Sequence, residues 1–162
     1  MEHDPPLLFT LMGEKWMALI TGAISRFPEE TESLGESLAQ VIPPNTVIII
    51  RGDLETGKTT FVRGIAKGLS MSVSHIDSNQ NDLSFHDGKT QLLHLTANRL
   101  KGPETLKEPP IDAQLRPPWV VALECEEPID APWLHGAWTV TCRQDPETKA
   151  LRLSLQIPAD TD

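Results

Sequence analysis

Eight consecutive residues, Gly52-Asp53-Leu54-Glu55-Thr56-Gly57-Lys58-Thr59, carry the most readable chemistry in this chain. They fit the pattern G-x-x-x-x-G-K-[ST], a loop that cradles phosphates with its own backbone amides. Gly52 and Gly57 let the chain turn tightly and approach an anion with no Cβ in the way. A helix starting just beyond the loop adds the positive end of its dipole. In such a loop Lys58 reaches the β- and γ-phosphates, and the Thr59 hydroxyl serves as a magnesium ligand. The expected nucleotide-contacting set is Gly52, Asp53, Leu54, Glu55, Thr56, Gly57, Lys58, Thr59 and Thr60. Glu55 is an ill-suited member, because a carboxylate repels phosphate unless it turns to solvent.

A second candidate lies far along the chain. Trp119-Val120-Val121-Ala122-Leu123 is an apolar run that ends in Glu124-Cys125-Glu126-Glu127. An acid at the end of a buried strand is where phosphate-loop proteins hold magnesium or its water. Glu124 is therefore the expected partner of Thr59 at a metal, and with Lys58 the expected catalytic pair. The histidines His75, His86 and His94 show no metal-ligand spacing and read as surface or core residues. The chain has no Asn-Lys-x-Asp motif of the kind that reads guanine.

These residues need a strand and a helix to hold them. Val47 to Ile50 is a β-branched run suited to a covered strand. Phe61, Val62, Ile65, Ala66 and Leu69 recur at helical spacing after the loop. Before the strand, Pro28 suits a first helical turn, with Glu29, Glu30 and Glu32 near its positive end. Thr31, Leu34, Leu38 and Val41 would form that helix's inward face, and Pro43-Pro44-Asn45 ends it. Arg63 and Lys67 read as the solvated face of the helix after the loop. Leu83 and Phe85, the Asp87-Gly88 turn and Leu92-Leu93-His94-Leu95 read as a hairpin. Residues 97–118 hold Pro103, Pro109, Pro110, Pro117 and Pro118 and read as loop. Two further strands, Trp138–Thr141 and Leu151–Leu155, are joined by a turn at Asp145–Lys149.

The chain has 162 residues, enough for one domain with a real core. Its net charge of −9 argues against autonomous binding to nucleic acid. Cys125 and Cys142 form neither a metal spacing nor a disulfide framework, so a reduced, cytoplasmic setting is expected. Residues 1–27 are expected to be an N-terminal extension, with Leu8, Met12, Trp16, Leu19, Ala23 and Phe27 as the stripe of an amphipathic helix. Glu14 and Lys15 interrupt the apolar stretch and argue against a membrane span. The acidic start argues against a signal peptide.

Residues 28–69, followed by a partial match downstream, resemble the small ATPase of bacterial tRNA threonylcarbamoyladenosine biosynthesis, the TsaE family. Pro28-Glu29-Glu30-Thr31, Leu34-Gly35 and Leu38-Ala39 carry the resemblance up to the loop. Gly52-Asp53-Leu54 before Gly57-Lys58-Thr59-Thr60-Phe61-Val62-Arg63-Gly64 is more specific than a bare phosphate loop. Glu55 stands where the family has glycine. Ser74-His75-Ile76-Asp77 replaces its Ser-Pro-Thr-Phe segment. The His-x-Asp-x-Tyr-Arg-Leu motif appears as His94-Leu95-Thr96-Ala97-Asn98-Arg99-Leu100, with Thr96 in place of the magnesium-linked aspartate. Glu124-Cys125-Glu126-Glu127 keeps both glutamates of Glu-Trp-x-Glu and loses the tryptophan.

The resemblance implies an α/β phosphate-loop NTPase-like domain over residues 28–157, with a central, mainly parallel sheet and an antiparallel portion. It implies ATP and ADP as ligands, magnesium as the ion, and two partners: the threonylcarbamoyl-transferase subunit and its paralogous scaffold subunit. Neither direct nucleic-acid binding nor a membrane is expected. Whether the chain hydrolyses ATP is left open by Thr96, and Glu126, Glu127 and Asp77 are the acids that stand to compensate. The alternatives are a nucleotide-binding regulatory subunit without hydrolysis, and a small-molecule kinase using the same loop. A kinase lid rich in arginine has little to draw on, since residues 97–118 offer only Arg99 and Arg116.

Overall fold

The computed structural model describes residues 15–53, 57–71, 83–96, 115–128 and 132–159. Within them a 3₁₀ turn (Lys15–Met17) and a short helix α1 (Ala18–Thr21) lead to strand β1 (Ala23–Ser25). Helix α2 (Pro28–Ala39), strand β2 (Thr46–Gly52) and helix α3 (Lys58–Gly68) follow. The remainder is β3 (Leu83–His86), β4 (Gln91–Thr96), β5 (Trp119–Cys125), β6 (Trp138–Gln144) and β7 (Leu151–Gln156), with a 3₁₀ turn at Pro132–Leu134.

The strands of the described residues join one seven-stranded sheet in the order β1-β7-β6-β2-β5-β4-β3. β2 runs parallel to both β5 and β6, and β4 runs parallel to β5. The flanking pairs β1–β7, β6–β7 and β3–β4 are antiparallel. This is a phosphate-loop NTPase-like sheet with a parallel centre and antiparallel margins. The β2 run is apolar because both its faces are covered. Ile48 and Ile50 meet the helices, while Val47 and Ile49 face a second cluster with Val121 and Leu123.

Helices α2 and α3 cross at unusually short range, and three glycines permit it. A Cβ on Gly64 would lie 2.0 Å from the Glu32 carbonyl oxygen. One on Gly35 would lie 2.4 Å from the Phe61 carbonyl oxygen, and one on Gly68 2.5 Å from that of Glu36. The pair packs over β2, and its fully buried side chains include Leu38, Phe61 and Ile65. That packing fixes α3, and α3 in turn aims the loop that precedes it.

Most of the expected elements are present, with differences at the margins. The expected N-terminal helix does not run on through Ala23 to Phe27. It stops at Thr21, and Ala23–Ser25 instead pair with Leu151–Leu153 as an edge strand. Alternation explains the switch: Ala23 and Ser25 are buried while Ile24 faces out, the two-residue period of a strand. Leu8 and Met12 lie outside the described residues. Thr31, Leu34 and Leu38 are buried as expected, but Val41 lies beyond the helix and is exposed. Lys67 is exposed as expected and pairs with Glu32 across the two helices at 3.2 Å. No helix among the described residues is long and apolar enough to cross a membrane.

Candidate functional site

The site forms where the carboxyl ends of β2, β4 and β5 meet the start of α3. Gly57 caps α3 in a left-handed conformation, φ 88°, which costs a glycine little and an L side chain more. Lys58 opens the helix and is almost fully buried. Its ammonium turns back over the loop and donates to the Gly52 carbonyl oxygen at 2.5 Å and to that of Asp53 at 2.8 Å. A buried ammonium held by neutral carbonyls keeps most of its charge uncompensated, which suits it to an anion arriving at the loop.

Thr59 comes next on the helix, and its hydroxyl faces Glu124, 3.0 Å from Oε1 and 2.9 Å from Oε2. Strand pairing puts Glu124 there. Ile50 is its partner on β2 and Thr96 its partner on β4, so all three point to the α3 side of the sheet. Two residues back on β4, on the same face, His94 places Nε2 2.5 Å from Glu124 Oε2. His94 is 3% exposed and Glu124 4%. The half-buried Thr59 and the buried Glu124 and His94 thus form one polar chain at the mouth of the loop, with Thr96 at its side.

A hydroxyl and a carboxylate oxygen side by side are hard oxygen ligands of the kind magnesium takes. Thr59 and Glu124 fit that ion, and Lys58 with the Gly57–Thr59 backbone fits polyphosphate. Thr96 is 7% exposed and neutral, so the β4 position beside Glu124 brings no charge to this corner. No cluster of three or more metal-binding side chains is present among the described residues.

Of the expected residues, Gly52, Asp53, Gly57, Lys58, Thr59 and Thr60 surround this corner, and Glu124 closes it. Leu54, Glu55, Thr56, Ser74, His75, Ile76, Asp77, Ala97, Asn98, Arg99 and Leu100 lie outside the described residues. Of the acids named as stand-ins for Thr96, Glu126 lines a recess with Arg51, Asp53 and Arg143 at the ends of β2 and β6.

Two features were not expected. His94 reads in the sequence as one more core or surface histidine, yet it meets the strand-end glutamate. The signal was its position two residues before Thr96 in a strand parallel to β5. The second is a cleft of about 200 Å³ beside the loop, lined by Ser25, Phe27, Thr31, Gly57, Thr60 and Lys149 among others. The Ser25 and Thr31 hydroxyls are 2.7 Å apart in its wall, and Phe27 is 60% exposed at its rim.

The family model for threonylcarbamoyl adenosine biosynthesis protein TsaE matches residues 25–151, from the end of β1 to the start of β7. The chain belongs to the TsaE family. The matched span contains the loop, α3, His94, Thr96 and Glu124. Among individual proteins, the Synechocystis tRNA threonylcarbamoyladenosine biosynthesis protein TsaE is 35% identical over 71 residues. That stretch covers 43% of this chain and 45% of the relative. The TsaE protein of Bacillus subtilis is 32% identical over 75 residues, 46% of this chain and 48% of the relative. The matches to these TsaE proteins thus span about half of their length. A crystal structure of YdiB from Bacillus subtilis superposes with a TM-score of 0.60 over 84% of either chain at 20% identity, a likeness of fold.

Proposed function

We propose that this TsaE-family chain binds ATP and ADP with magnesium and supports tRNA threonylcarbamoyladenosine modification. Its partners in this reading are the threonylcarbamoyl-transferase subunit and the paralogous scaffold subunit. One observation carries the nucleotide part: the buried Lys58 ammonium sits on the loop's own carbonyls, with the Thr59–Glu124–His94 chain beside it. The names of the relatives support the pathway.

In this reading Lys58 leaves the Gly52 and Asp53 carbonyls for the phosphates, and the amides at the start of α3 meet the same oxygens. Thr59 and Glu124 hold the metal, which when bound neutralises developing phosphate charge. Glu124 also orients the attacking water, and His94 fixes the carboxylate's rotamer from behind. The cleft beside Gly57 and Thr60 takes the nucleoside, with the Phe27 ring at its rim offering a face to the base.

Thr96 favours a second reading, a regulatory subunit that binds nucleotide without turning it over. Phosphoryl transfer relies almost wholly on positioning and charge, so a missing carboxylate costs turnover more than binding.

Calorimetric titration with ATP and ADP, with and without magnesium, tests both readings when phosphate release is followed in the same samples. Magnesium-dependent binding with release supports the ATPase. Binding indifferent to magnesium and without release supports the regulatory subunit. Lys58→Ala is expected to weaken ATP binding by about 100-fold, two charge-assisted contacts' worth. Unchanged affinity in that variant removes the loop from the proposal.

A further inference from the structure

The sheet face turned away from α2 and α3 carries an arrangement that the nucleotide site does not use. Arg143 on β6 and Arg152 on β7 are directly paired across the antiparallel ladder. Arg51 on β2 pairs with Thr141, two residues before Arg143, so it is diagonal to Arg143 on the same face. Diagonal neighbours on one sheet face stand about 7–8 Å apart. Three arginine positions therefore lie in one line on this face across β2, β6 and β7, with the Arg152 guanidinium passing beside Gly22 at the β1 edge.

Among the described residues, the three arginines are not matched by direct partners. Like charges directly opposite on a ladder destabilise it. Among the described residues none of the three arginines makes an ion pair. The Arg51 Nε is buried with no hydrogen-bond partner. Arg143 and Arg152 are exposed. Asp145 acts on Arg152 through space, and Asp53 and Glu126 share the Arg51–Arg143 recess, a polar hollow of about 320 Å³. In a chain of net charge −9, three arginines on one face without an ion pair among the described residues are a local exception, and the nearby acids reach them only through space.

We propose that this face docks an acidic segment of a partner protein, with carboxylates seated on the forks of Arg51, Arg143 and Arg152. Guanidinium binds carboxylate through two parallel hydrogen bonds, and an extended segment can present alternate side chains to successive strands. The β6 and β7 positions on this face supply hydroxyls and an amide from Thr139, Thr141, Ser154 and Gln156, which suit a peptide. They supply no aromatic ring on which a base would stack, and the chain's overall negative charge opposes a long polyanion, so RNA is the poorer fit. The inference rests on the reading above in placing the chain with protein partners, and adds the chemistry that the partner presents. Because the recess shares Gly52 and Asp53 with the loop that Lys58 holds, docking and nucleotide binding meet at the same two residues.

The test is fluorescence anisotropy of a labelled short polyglutamate peptide against the full chain, with a short labelled oligouridylate measured in parallel. The Arg143→Ala/Arg152→Ala double variant is expected to weaken the peptide by about tenfold. Lys89→Ala, which removes one positive charge elsewhere, is expected to change it by less than about twofold. ATP affinity by calorimetry should stay unchanged in both, so loss of nucleotide binding in the parent chain sinks the nucleotide reading without touching this one. No peptide binding by the parent chain, an equal loss in Lys89→Ala, or tighter binding of the oligouridylate through the same arginines overturns the proposal.

Discussion

His94 Nε2 approaches Glu124 Oε2 at 2.5 Å, and the same carboxylate accepts the Thr59 hydroxyl on both its oxygens. A strand-end glutamate held by two partners has little rotamer freedom left. The side chain that faces the phosphate loop is thus set by β4 and α3 together, and not by β5 alone.

Replacing that carboxylate by its amide tests its role. Glu124→Gln keeps the volume and one acceptor oxygen but removes the charge. Under the proposed activity, magnesium-dependent phosphate release is expected to fall by about 100-fold, as when one preorganised electrostatic group is lost. Magnesium-free nucleotide affinity should change by less than about threefold, because Lys58 and the backbone carry that part. Equal release by both proteins would remove Glu124 from the chemistry.

The α2–α3 crossing gives a stability prediction independent of any ligand. Gly64→Ala puts a methyl group 2.0 Å from the Glu32 carbonyl oxygen, which is backbone and cannot swing away. The helices must separate, at a cost of about 3 kcal/mol. For a chain of this size the melting temperature should drop by about 9 °C. Gly136→Ala, with nothing within 4 Å of the new methyl, is the control and should melt close to the parent.

The two buried thiols contribute a loss of stability at alkaline pH. Burial pushes Cys125 up from 9.0 to about 11, opposed by the Arg51 and Lys58 charges, and pushes Cys142 up to about 12. Above pH 9 the unfolded chain releases these protons while the folded chain keeps them, so stability falls as pH rises from there toward the folded values. Urea midpoints should therefore decline between pH 9 and 11. The decline should be shallower in the Cys125→Ala/Cys142→Ala variant, although that variant starts lower because of its cavities. An identical slope in both proteins would assign the decline to other groups.

The loop, the strand before it and the helix after it were legible because each leaves a local signal. Gly52 and Gly57 are at fixed offsets, Val47 to Ile50 are β-branched, and Phe61 to Ala66 have helical spacing. The hairpin at Asp87-Gly88 and the strand ending at Glu124 were legible for the same reason. Ala23–Ser25 were not, because three residues are too few to show a two-residue period against the helical stripe before them. His94 on Glu124 was invisible for another reason. Their contact depends on the parallel register of β4 and β5 across a separation of 30 residues, which no local pattern encodes. The arginine line has the same origin: Arg51, Arg143 and Arg152 become neighbours only through the order β7-β6-β2.

Thr96 gives the most discriminating substitution. It is the β4 partner of Glu124, and both side chains are buried at the corner where Thr59 points. Thr96→Asp places a second carboxylate beside the first, and two like charges at that range resist joint ionisation. Without metal, the variant should lose about 2 kcal/mol at neutral pH, or about 6 °C in melting temperature. A divalent cation offsets the repulsion, so saturating magnesium should restore most of that loss while moving the parent chain little. Under the proposed ATPase activity the same change should raise magnesium-dependent phosphate release by restoring the missing charge. Thermal unfolding with and without magnesium reads the first effect with no assumption about turnover. If magnesium shifts the variant no more than the parent, Thr96 does not border a metal site.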